Sequence, residues 1–167
     1  MDIDDEEVQK EVKAFWTLYI DILFISLDGN AFDVAWAAVL AALKDVRLPE
    51  AKWDTDRGMI LCSDELALTR PLNLPGLPIA STFVVFDSGK GSKSRSWILA
   101  DPDTFEEGLC NESVTVVVDG SARDTKILGI SKAGGAAVGK AEMKELVQMA
   151  VQRWRDWEEA LKISTAA

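Results

Sequence analysis

A chain of 167 residues, nearly half of them apolar, is long enough to bury the core of one domain, and its formal charge of -10 opposes a phosphate backbone unless its few cations gather on one face, which disfavours a free-standing nucleic-acid binder. It contains no histidine, which removes Ser-His and Cys-His nucleophile pairs, HExxH zinc sites and histidine acid-base chemistry together. Cys62 and Cys110 are far apart, form no CxxC pair and have no ligand cluster around them, so both read as structural thiols in a reducing compartment.

The opening residues are acidic where a secretory or mitochondrial leader is basic, and no apolar run reaches the length of a membrane span. A soluble intracellular protein is expected, with residues 1–11 an acidic lead-in or truncated loop. Residues 17–27 are β-branched and aromatic, with apolar side chains on both faces of a pleat, and predict a central strand. Asp28-Gly29-Asn30 then predicts a turn, with Asn30 capping a helix to about Asp45 and Asp33 in the first turn, where the helix dipole favours an acid. That helix is apolar nearly all round between Ala31 and Leu43, so most of its surface needs covering.

Leu48-Pro49 closes this unit, and a looser stretch through Pro71, Pro75 and Pro78 carries a short strand at 57–62. Residues 79–86 predict the next strand, 88–96 a mobile connection and 97–100 a return to extended structure. Residues 114–119 and 126–131 predict a hairpin around Gly120-Ser121. The last element, 140 to about 162, sets Met143, Leu146, Val147, Ala150, Trp154, Trp157 and Leu161 along one stripe of an amphipathic helix. The order predicts an α/β fold, a small mixed sheet flanked by the helices at 30–45 and 140–162.

Three segments carry candidate chemistry. Gly134-Gly-Ala-Ala-Val-Gly-Lys140 has the spacing of a phosphate-binding loop between strand and helix, but Ala141 stands where a hydroxyl would ligate Mg²⁺. The plainer account is a glycine-permitted exit from a hairpin. Asp101-Pro-Asp-Thr-Phe-Glu-Glu107 gathers carboxylates at a strand end, a pattern suited to Mg²⁺ beside a transferring phosphate. Cap chemistry explains the same residues, with Asp101 as N-cap and Pro102 at the first helical position. Asp21 and Asp28 are equally well explained by strand and turn. Lys90, Lys93 and Arg95 read either as an RNA-touching loop or as a solvated tip, and Trp154 and Trp157 either as base-stacking platforms or as core.

Four blocks in order carry a family resemblance: residues 18–33 with 37–43 and Leu48-Pro49; Leu77 to Phe86; Ala100 to Glu107; and Ser113 to Val118 through Lys132 to Gly135. Over residues 12–157 this pattern resembles the RNase PH-like 3′ exoribonuclease family of the eukaryotic RNA exosome ring, so that 12–163 is expected to be the second half of such a domain. The resemblance implies a pseudo-hexameric ring of such subunits, capped by RNA-binding subunits, through which RNA threads to a separate nuclease. The implied partners are the other ring subunits, the cap subunits and RNA in the assembled ring, in the nucleus, including the nucleolus, and in the cytoplasm. Active members use phosphate to shorten RNA from its 3′ end and need strand-end carboxylates for a metal together with an arginine-bearing phosphate pocket. Here the segment resembles the inactive branch, which implies a structural ring subunit with no catalytic, metal or cofactor residues. The alternative is a phosphate-dependent 3′-to-5′ exoribonuclease using Asp101 and Glu107. The chain starts near the end of the family's first subdomain and is therefore expected to be a fragment, a shortened gene model or a chain that folds against partners.

Overall fold

The computed structural model describes residues 11–87, 96–110, 112–135 and 138–165. Within it the chain divides into two compact units, residues 1–21 with 47–71, and residues 22–46 with 72–167. In the smaller unit β1 (Arg47–Leu48) pairs with β4 (Arg70–Pro71), and β2 (Ala51–Asp54) with β3 (Met59–Cys62), both antiparallel. The strand predicted from residue 57 starts at Met59. Asp54 Oδ1 accepts from the amides of Asp56 and Arg57, and Gly58 at φ +62° completes the turn.

The larger unit is built on a four-stranded sheet in the order β6-β5-β7-β8, from β5 (Ile79–Asp87), β6 (Ser96–Ala100), β7 (Glu112–Asp119) and β8 (Lys126–Gly134). The α/β layering expected from the sequence is present. Where a mixed sheet was expected, every ladder among the described residues is antiparallel. The physical reason is that β6 and β7, which run parallel to one another, lie on opposite sides of β5 and never share a ladder. Between them the chain crosses through α2 (Thr104–Leu109).

One sheet face carries the core. Register pairs Ile79 with Val118, Ser81 with Val116 and Phe83 with Val114, all buried. Onto them α3 (Lys140–Thr165) lays Leu146, Ala150 and Trp154, and α1 (Ala31–Asp45) adds Leu40. A fully buried Leu, Ile, Val or Phe among these contributes about 1.5–3 kcal/mol. The predicted helical stripe of α3 is this contact, with Met143, Val147, Trp157 and Leu161 packed partly buried around it. Among the described residues no helix is long and apolar enough to cross a membrane.

The entry to β5 is held from three sides. Trp36 Nε1 donates to the Pro78 carbonyl at 2.7 Å and Trp154 Nε1 to the Leu77 carbonyl at 2.7 Å. The Leu77 amide donates to Ser121 Oγ at 2.9 Å and to Asp119 Oδ1 at 3.3 Å. Burial works to raise the Asp119 carboxyl, but the Ser121 hydroxyl and amide, the Leu77 amide and nearby Lys126 outweigh it and hold it below its ordinary value. A carboxyl depressed in the folded state adds stability that is full above its unfolded pKa of about 3.9 and fades as pH falls through the lower folded value. Urea unfolding is therefore expected to show Asp119→Asn less stable than wild type at neutral pH, with the gap closing below about pH 4. A gap independent of pH would contradict this.

The strand predicted over residues 17–27 does not form. The segment belongs to no strand, and Tyr19, Leu23 and Ile25 are 89, 87 and 95% exposed. Its residue types favour extended structure, but a strand is held by its neighbours, and no strand among the described residues pairs with this one.

Candidate functional site

Of the carboxylates singled out in the sequence, Asp33, Asp101 and Glu107 meet at the junction of α1, β5 and α2. β6 covers only the second half of β5, from Phe83 onward, so the first half has an open edge. Asp33, 4% exposed, closes it: Oδ2 accepts from the Thr82 amide at 2.7 Å and Oδ1 from the Thr82 hydroxyl at 2.8 Å. That hydroxyl also meets Thr115 Oγ1 at 2.9 Å, across the register pair of β5 and β7. The dipole role expected of Asp33 is thus joined by a second one, satisfying a strand edge. A buried acid on an otherwise apolar helix was the available signal for it, because such a group needs donors.

Asn30 was expected to cap α1 with its side chain and does not. Its backbone is left-handed at φ 42°, and its amide NH₂ is held between two carboxylates, Asp33 Oδ2 at 3.0 Å and Asp101 Oδ1 at 2.6 Å. The backbone amide of Asn30 donates instead to Glu107 Oε1 at 2.9 Å. Asp101 is also left-handed, at φ 58°, a conformation that Asp and Asn tolerate through local hydrogen bonds and that costs roughly 1–2 kcal/mol. Gly29, at φ +80°, completes the turn. A Cβ there would collide with the Pro102 carbonyl and the Asp103 backbone, so the two loops meet backbone to backbone.

The cap of α2 lies two residues beyond the predicted one. Asp103 Oδ1 accepts from the Glu106 amide at 2.8 Å while Glu106 Oε2 accepts from the Asp103 amide at 3.1 Å, a reciprocal capping box. Pro102 is buried ahead of the helix rather than in its first turn. The cap shifted because Asp101 is occupied elsewhere: besides Asn30, Arg153 of α3 reaches its Oδ1 at 3.4 Å. Asp101, Asn30, Asp33 and Glu107 are therefore brought together, with the four oxygens named taken by protein donors. A cavity of about 260 Å³ opens beside them, lined by Phe24, Leu27, Asp28, Val34, Asp101 and Asp103.

Of the other candidates, Cys110 lines a cavity of about 290 Å³ together with Thr82 and Glu107. Asp21 is exposed outside any strand, and Cys62 is exposed. The Cys110 thiol is pushed up by burial and by the Glu106 charge, which disfavours the nucleophilic thiolate. The glycine loop does run from β8 into α3, but the amide of Gly139 already donates to Glu142 Oε2 at 2.5 Å, so the helix supplies its own anion. Trp154 is core, bonded to Leu77. Lys90, Lys93 and Arg95 lie outside the described residues. No group of three or more Cys, Asp or Glu able to hold a metal occurs among the described residues.

Comparison with known proteins bears on this geometry. Residues 6–49 match the model of the 3′ exoribonuclease family, domain 1, and residues 76–153 that of domain 2. Exosome complex component rrp43 of Schizosaccharomyces pombe is 39% identical over 140 residues, 84% of this chain and 47% of that protein. Exosome complex component rrp45 of the same yeast is 30% identical over 128 residues, 77% of this chain and 40% of that protein. Exosome complex component Rrp42 of Methanosarcina mazei is 25% identical over 141 residues, 84% of this chain and 45% of that protein. The chain spans about half the length of these relatives or less. Asn30 and Asp33 lie in the first matched domain and Thr82, Asp101, Glu107 and Arg153 in the second, so the bonded junction joins the two.

Proposed function

Because the chain belongs to the RNase PH-like 3′ exoribonuclease family, with both of the family's domains represented in it, we propose that it is a structural, non-catalytic subunit of an RNA exosome core ring. In this role it supports 3′-to-5′ RNA processing and degradation without cleaving RNA itself. The reading is carried by the bonding of Asp101 Oδ1 and Glu107 Oε1 to Asn30, which gives one oxygen of each carboxylate of the enzymatic alternative a role in joining loops. Arg153, a cation near them, is turned onto Asp101 rather than onto an open phosphate pocket. Pro102 has no amide hydrogen to donate between these acids. The partners are the other RNase PH-like ring subunits and the RNA-binding cap subunits, with RNA passing through the assembled ring, in nucleus, nucleolus and cytoplasm.

The test is affinity purification of the full-length tagged protein from its own cells, with mass spectrometry of what co-elutes at high salt. Ring and cap subunits in near-equal amounts are expected. Recovery of the folded protein alone would overturn the reading.

A further inference from the structure

We draw no further inference here: the strongest candidate, the apolar cavity of about 410 Å³ between α1 and the entry to β5, lined by Trp36, Leu40, Leu43, Leu74, Pro75 and Asp119, carries nothing, because Asp119 is already engaged by Ser121 and Leu77 and nothing in the structure shows what covers the cavity.

Discussion

Asp33→Ala is expected to destabilise the protein by about 2–4 kcal/mol, because it strands the Thr82 amide without an acceptor at the open edge of β5 and a buried donor so abandoned costs about 1–3 kcal/mol before packing losses. The Thr82 hydroxyl keeps Thr115 and the Asn30 amide keeps Asp101, so the loss centres on that one backbone group. Asp33→Asn retains one oxygen and is expected to cost roughly half as much. Urea midpoints of the purified full-length variants measure both. A shift for Asp33→Ala within about 0.5 kcal/mol, the range of ordinary surface changes, would show that Asp33 is not the edge partner described.

Trp154→Ala is expected to cost about 3–5 kcal/mol, the range for truncating a buried aromatic. Trp154 is 5% exposed, its ring lies where a Cβ on Gly120 would strike it, and its indole N–H holds the Leu77 carbonyl at the entry to β5. Trp154→Phe separates the two contributions. It keeps most of the ring contact and drops the hydrogen bond, with an expected cost of about 1–2 kcal/mol from the unsatisfied Leu77 carbonyl. Equal losses in the two variants would assign the whole effect to the hydrogen bond, contrary to the packing described.

The elements that were legible in the sequence are those whose signals are local. Ala31–Asp45, Ile79–Asp87, the β7–β8 hairpin and the stripe of α3 form where the local patterns predict them, but burial is less than those patterns imply: β8 has no buried residue and runs to Gly134, and α1, expected to be covered on most sides, leaves Phe32 and Val34 52 and 59% exposed. Residues 17–27 carry an equally strong local pattern yet stay unpaired, since pairing depends on a partner strand that the pattern does not contain. The candidate site was legible as a set of residues and not as a set of bonds. Asn30, Asp33 and Asp101 were each assigned a capping or dipole role within their own segment. The structure uses them across segments separated by 49 and 71 positions, and that long-range competition pulls Asn30 and Asp101 away from their helices.

On the reading proposed above, the strand-end carboxylates serve structure and not RNA chemistry. Release of nucleoside diphosphates from RNA by the full-length protein, alone and in its assembled ring, with Mg²⁺ and with or without inorganic phosphate, tests it most directly. No phosphate-dependent release is expected from the protein alone, and release from the ring is expected to be unaltered by Glu107→Gln. Phosphate-dependent release by the wild type that disappears in Glu107→Gln, with the fold intact by circular dichroism, would contradict it.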